Sequence, residues 1–381
     1  MYAHGIGTLL DLHALPGGAN KDDHGGTSSG KADLWGNKTN LKLAKRCLEF
    51  IAEEVHQGKV QGCIGIQLCN EAVWAADGMY GWYTEVVHAI AAIDSSIPLY
   101  ISDAWDLKTA LSWAMKKNSV TFGLNPVIVD THKYYTFSEE DRAQSAQEII
   151  VRISNELEEV KASFGDVVGK GAAQVIIGEW SCVLDGNTWR KSQSGDKEDL
   201  IRQFGKVQQT QWESRSSGAF FWTAKMQWMD GGEWGFIEMT KKGIVIPPKQ
   251  LTGSFEIVRD RITKARQERV EKRAQTVKTH IDWWTETAPP GFFEHWRFEQ
   301  GWDLGFSDAL TFYEMRANGG LQGAQSGADT IGTIEMWVRK RFQDSGQKEC
   351  DEKKKGQFLW EWEHGFRQGV RDFGEIVHQG P

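Results

Sequence analysis

Two glutamates carry the chemistry this sequence can do. Glu71 follows Asn70 at the end of the apolar run CIGIQLCNE (63–71), and Glu179 follows Gly178 at the end of AAQVIIGEW (172–180). A pair of carboxyl groups can divide acid and base work. The one kept protonated donates to a leaving oxygen, while the ionised one attacks carbon or activates water. Aromatic residues flank both, in a chain with 18 tryptophans, and an indole offers a flat apolar platform to a sugar ring. Paired carboxylates beside such platforms suit cleavage of a glycosidic bond.

The elements that must bring these glutamates together are six runs of one form, a short apolar stretch ending in polar or aromatic residues. They are TLLDLH (8–13), CIGIQLCNE (63–71), IPLYISDAW (97–105), PVIVDTHKYY (126–135), AAQVIIGEW (172–180) and GAFFWTAKM (218–226). Runs this short and this apolar suit parallel strands covered by helices. Helical periodicity fills the intervals at 40–55, 81–93, 107–116, 143–160 and 199–212, which predicts an α/β sheet. The triplet GIG (5–7) precedes its strand instead of opening a helix, so it is no nucleotide fingerprint. Polar residues at the C-terminal ends of all six runs fit a (β/α)8 TIM-type barrel, whose site is built there. Eight strands close a barrel; six are countable.

After residue 250 the pattern becomes helical. In 256–284, Val270, Ala274, Val277, Ile281 and Trp284 trace one face of a charged, solvated helix. An internal echo relates 295–309 to 361–373 at an offset of 64, pairing Gly301 with Gly365, Gly305 with Gly369 and Asp308 with Asp372. Glycines four apart clear one stripe of a helix, which predicts two helices that closely approach other elements. The stretches 318–332 and 344–356 read as loops. The chain therefore divides into an incomplete barrel unit, 1–255, and a helical extension, 256–381.

Among 381 residues, 44 Lys and Arg stand against 52 Asp and Glu, a net charge of −8. That disfavours nucleic acid as a partner. No apolar run reaches the roughly 18 residues of a membrane span. The five cysteines have no metal or redox spacing, and their odd number excludes a disulfide scaffold. Asn37-Lys38-Thr39 is one glycosylation sequon. The oligomeric state is not legible.

DLHALPGGAN (11–20), LCNEA (68–72), THKYY (131–135), GEW (178–180) and FWTAK (221–225) together resemble glycoside hydrolase family 5, and among its members the fungal exo-β-1,3-glucanases. The resemblance spans roughly 5–250, and HWRFEQG (295–301) is similar to C-terminal extensions of glucanase-like members. It implies a retaining β-glucan hydrolase that needs no metal or cofactor, with Glu71 as acid/base and Glu179 as nucleophile. It assigns His13 and Asn70 to the first glucosyl subsite, Tyr134 to a place near the nucleophile, His132 near the acid/base, and Trp222 beneath the sugar. Trp74, Trp105, Trp228 and Trp234 follow strands and are candidates for outer subsites. On this reading Tyr134 holds Glu179 as an anion, and that charge keeps the proton on Glu71.

Two departures from the family pattern stand out. Ala72 occupies a place where proline is usual. DLH ordinarily lies on the third barrel strand, so the first two strands, with an arginine near the nucleophile, are expected to be missing. The chain opens without a signal-peptide pattern, whereas the resemblance implies a secreted or cell-wall protein. The alternatives to an active hydrolase are a glucan-binding relative without turnover and a non-functional fragment.

Overall fold

The computed structural model describes residues 2–4, 6–120, 122–192, 196–224, 226, 232–247, 254–289, 291–317, 332–347 and 357–378. The six apolar runs are six strands: β1 (Thr8–Asp11), β2 (Cys63–Gln67), β3 (Leu99–Ser102), β4 (Val127–Lys133), β5 (Gln174–Trp180) and β6 (Ala219–Phe221). All pair in parallel in chain order, β1 through β6. Helices α1 (Lys38–His56), α2 (Met79–Asp94), α3 (Leu107–Lys117), α4 (Glu139–Ala143), α5 (Ala146–Ile153), α6 (Gly186–Lys191), α7 (Lys197–Arg215) and α8 (Phe236–Lys241) connect or follow them. The helical region holds α9 (Phe255–Thr287), α10 (His295–Ala317), α11 (Ile334–Asp344) and α12 (Leu359–His378). No helix of the described residues is long and apolar enough to cross a membrane.

The sheet curls. Strands lie about 4.8 Å apart, so on a flat sheet the ends of β1 and β6 would stand about 24 Å apart. Instead His13, just past β1, stacks on Trp222, just past β6, at 5.9 Å between ring centroids and 11° between planes. The six strands therefore form a half-barrel whose mouth is pinched by a ring pair, with no β1–β6 ladder among the described residues.

Strand alternation sorts the residues into two faces. Val127, Val129, Val175 and Ile177 join the large core beneath the helices. Ile128 and Ile176 turn inward with Tyr100, and Leu9 and Met336 pack on them. Met336 belongs to α11, so the helical region supplies part of the barrel floor. Its backbone N–H donates to Gln174 Oε1 at the foot of β5, 3.2 Å away. Nearby, Glu363 of α12 accepts from the backbone N–H groups of Val167 and Val168 at 3.0 and 2.9 Å. The helical region is thus fastened to the bottom of the sheet, opposite the glutamates.

Two helical expectations need correction, and a third is met in a specific way. The segment 143–160 is not one helix: α5 ends at Ile153, Leu157 adopts a left-handed φ of 63°, and a 3₁₀ turn spans Glu158–Ser163. The reversal lets Leu157 and Val160 both reach the core. In α9 the inward face is Val258, Ile262, Ala265 and Val277. Val270 and Ala274 are exposed, because Arg269 and Arg273 take the contact, bonding Ser307 at 3.0 Å and Asp303 at 2.9 Å on α10. Finally, the glycine stripes meet each other. A Cβ at Gly301 or Gly305 would run into the carbonyl oxygens of Trp362 and Phe366, and one at Gly365 or Gly369 into those of Phe298 and Trp302. The contacts reciprocate under the 64-residue offset, so α10 and α12 are a parallel pair about a local two-fold axis.

Most of the two stretches read as loops, 318–331 and 348–356, lies outside the described residues, as does Cys350. The other four cysteines are unpaired.

Candidate active site

The site is assembled at the strand ends, and one irregularity aims its second carboxylate. Thr131 of β4 pairs with Ile177 of β5, but His132 pairs with Glu179, so the register skips Gly178. Ile177 faces the outer core, so strict alternation would send Glu179 outward too. The one-residue bulge turns it into the barrel. Gly178 is required for space as well, since a Cβ there would strike the Asp130 carboxylate.

Glu71 is placed by a different device. It sits past β2 with a φ of +41°, a conformation that strains a residue bearing a Cβ. Asn20 holds it by donating to the Glu71 carbonyl oxygen at 2.9 Å, and the N–H of Ala72 donates to Ser102 Oγ at 3.2 Å. Alanine fills the expected proline position and uses the N–H that proline lacks.

His132 stands between the two carboxylates. Its Nδ1 is 2.9 Å from Glu71 Oε1 and 3.5 Å from Glu179 Oε2, and its Nε2 is 3.1 Å from Asp130 Oδ2. One oxygen of Glu71 and one of Glu179 lie within 4.8 Å of each other; on a flat sheet β2 and β5 would be about 14 Å apart. The Tyr134 hydroxyl donates to Glu179 Oε2 at 2.7 Å. Asn70 is buried, with its Nδ2 3.4 Å from His13 Nε2. A cavity of about 240 Å³ touches His13, Asn70, His132, Glu179 and Trp222.

The structure thus brings together all seven residues expected at the site: Glu71, Glu179, His13, Asn70, His132, Tyr134 and Trp222. Of the outer tryptophans, Trp234 packs against Tyr134 at 5.7 Å and Phe137 at 6.1 Å. Trp74 and Trp105 are more than half exposed. Trp228 and Lys225 lie outside the described residues.

Sequence reasoning missed three members. Asp130 is 1% exposed, accepts from Gln67 Nε2 at 2.7 Å and backs His132; its spacing of two along a strand was a usable signal. Asp11 backs His13 in the same way at 2.6 Å, again two residues away. His24 reaches Glu71 Oε2 at 2.9 Å from the loop after β1, and nothing in the sequence pointed to it.

The acidities reverse the expected order. Burial pushes the Glu71 carboxyl up, but hydrogen bonds and charge from His132 and His24 more than offset it and hold Glu71 below the usual carboxylate range. Burial raises Glu179, and His132 and Tyr134 offset only part of that. Burial opposes a charge on His132, yet Asp130 and Glu71 hold its value well above that of free imidazole. In the free site the proton therefore rests on the imidazole. An imidazolium offers no lone pair, so in this form His132 bonds the carboxylates rather than a cation. Burial and the neighbouring carboxylates push the Tyr134 hydroxyl up, which keeps it a donor.

Residues 265–377 match the glucan 1,3-beta-glucosidase 3 C-terminal domain. The chain is 29% identical over 374 residues to an uncharacterized glycosyl hydrolase of Saccharomyces cerevisiae, covering 97% of this chain and 66% of that protein. It is 29% identical over 341 residues to glucan 1,3-beta-glucosidase 3 of Schizosaccharomyces pombe, covering 88% and 65%. The chain spans about two thirds of the length of these relatives. Among solved structures, a rutinosidase from Aspergillus niger aligns at a TM-score of 0.47 and 16% identity, covering 63% of this chain and 67% of that one. The strand-end motifs and these sequence relatives agree: the chain is similar to glucan 1,3-β-glucosidase-like glycosyl hydrolases over nearly its whole length.

Proposed function

We propose that the barrel unit, 1–255, is a retaining glycosidase that releases glucose from β-1,3-glucan, and that 256–381 is a helical extension supporting it. The observation that carries this reading is the approach of Glu71 and Glu179 to within 4.8 Å beside a cavity. Retaining enzymes hold their carboxyl groups about 5–5.5 Å apart, whereas inverting ones leave about 6.5–9.5 Å for a water. Glu179 attacks the anomeric carbon while Tyr134 O–H steadies its charge. Glu71 protonates the departing oxygen.

The reversed acidities have a physical resolution within this mechanism. A bound sugar excludes water from the mouth, and an ion pair loses more by desolvation than a neutral pair. The proton then moves from His132 Nδ1 to Glu71 Oε1 along the 2.9 Å bond, leaving Glu71 as the acid. Once Glu179 is esterified, Glu71 acts as base toward water. Asn70 faces the sugar, and Trp222, held parallel to His13, offers its face as the floor.

The same acidities favour a second reading, a glucan-binding protein without turnover, because the free site holds its proton on the wrong group. Laminarin incubation separates the two. Glucose released with retained anomeric configuration by proton NMR supports hydrolysis with exo action, and a ladder of oligomers points to endo action. Laminarin binding without any product establishes the second reading, and an inverted product would sink the mechanism.

A further inference from the structure

The described residues hold a second cluster of imidazole and carboxylate groups, far from the strand ends. His280 near the end of α9, His295 at the start of α10 and Glu361 near the start of α12 converge on one point. His280 Nε2 and His295 Nδ1 lie 3.1 and 2.8 Å from the same oxygen, Glu361 Oε2. The Glu361 side chain is fully buried, and its other oxygen, Oε1, accepts the N–H of Glu294 at 2.8 Å. Each imidazole is clamped by a parallel ring, His280 by Phe298 at 3.8 Å and His295 by Phe293 at 5.4 Å.

We infer that His280, His295 and Glu361 form a zinc-binding site that ties α9, α10 and α12 together. Two imidazole nitrogens and one carboxylate oxygen are a donor set suited to a borderline cation such as Zn(II), with one position left for water. The dimensions fit. Ligands about 2.0–2.1 Å from a tetrahedral ion stand roughly 3.3 Å from one another, so each nitrogen needs to part from Glu361 Oε2 by only about 0.2–0.5 Å, and all three donors already lie within 4.8 Å of one another. The surroundings resemble a prepared metal shell, because the bond to Glu294 N–H orients the carboxylate and the stacked rings fix both imidazoles. Water has a route in, since His280 lines a cavity of about 640 Å³ between α9 and α12. The neighbouring cations are already answered, Arg367 by Glu335 and Glu363, and Lys272 by Glu375.

The proportions separate this cluster from the catalytic trio. Here one carboxylate serves two imidazoles, whereas at the mouth three carboxylates surround one imidazole and keep it protonated. His280 and His295 meet at one oxygen of Glu361, whereas His132 and His24 bond different oxygens of Glu71.

The test uses the whole chain, freed of metal with EDTA and titrated with ZnCl₂ by calorimetry. The expected result is one Zn(II) per chain and a rise in Tm that EDTA reverses. Glu361→Gln and His295→Ala should each weaken binding by more than the roughly 10–100-fold that losing an outer partner costs, while His132→Gln leaves it intact. Zinc X-ray absorption on the unaltered chain removes any dependence on how the variants fold. It should read two imidazoles and ligand distances of about 2.0–2.1 Å. No binding, a single imidazole, thiolate sulfur at about 2.3 Å, or binding lost with His132→Gln and kept with Glu361→Gln would each overturn the proposal.

Discussion

The two clusters use the same residue types with opposite arithmetic. At the mouth, His132 lies among Glu71, Glu179 and the buried Asp130, so anions outnumber the imidazole and it holds a proton. In the helical region Glu361 lies between His280 and His295, and burial, which alone would raise its carboxyl, is offset by bonds from both until it sits below the usual range. Both border open space, the first the cavity left by a curled sheet and the second a cavity between α9 and α12. Residue type alone does not separate acid–base chemistry from metal binding. The ratio of the groups does.

The largest test of the contrast is removal of the group unique to each cluster. Glu179→Ala should lower kcat on laminarin by on the order of 10⁴-fold or more, as loss of a catalytic nucleophile does elsewhere. A smaller loss would return Glu179 to a supporting role. Glu361→Gln should act on stability instead, by about 1–3 kcal/mol in denaturant unfolding, because it disturbs bonds to a fully buried acceptor.

Moving His132 without touching it sharpens the first half. Gly178→Ala drives a methyl group into the Asp130 carboxylate that backs the imidazole. A shift near 1 Å costs roughly 100-fold in rate, so kcat should fall far more than KM changes. Equal changes in both would mean that Asp130 does not position His132. The parallel test at the other end is Gly365→Ala, which meets the backbone of α10 at Phe298 and should cost about 1–3 kcal/mol by overpacking.

The pH response should split the clusters. His132 has a raised folded value, so its contribution to stability is full below about 6.5 and is lost as pH rises through that folded value. Glu361 has a lowered folded value, so its contribution is present above about 4.3 and is lost as pH falls through it. Glu71 adds to the same acid loss. Unfolding midpoints across pH should therefore show a flattened alkaline limb in His132→Gln and a flattened acid limb in Glu361→Gln. In the active protein, the acid limb of kcat/KM should lie above the ordinary carboxylate range, since Glu179 must ionise against its burial.

What the sequence determined by itself is the local alphabet of this protein. Short apolar runs ending in polar residues specify parallel strands, and the motifs at those ends name the seven candidate residues that the fold gathers, because strand period and strand end are properties of contiguous chain. The glycine stripes at 301, 305, 365 and 369 likewise announced two closely packed helices. Tertiary structure decided the rest. The bulge at Gly178 depends on pairing between β4 and β5, so no count along the chain could have turned Glu179 inward. His24 and Asn20 reach Glu71 from 47 and 51 residues away, and His280 reaches Glu361 across 81, separations that carry no periodic signal. The order of acidities was not legible for the same reason: a charge is set by every neighbour that folding brings near, and His24 reaches Glu71 from a distant loop.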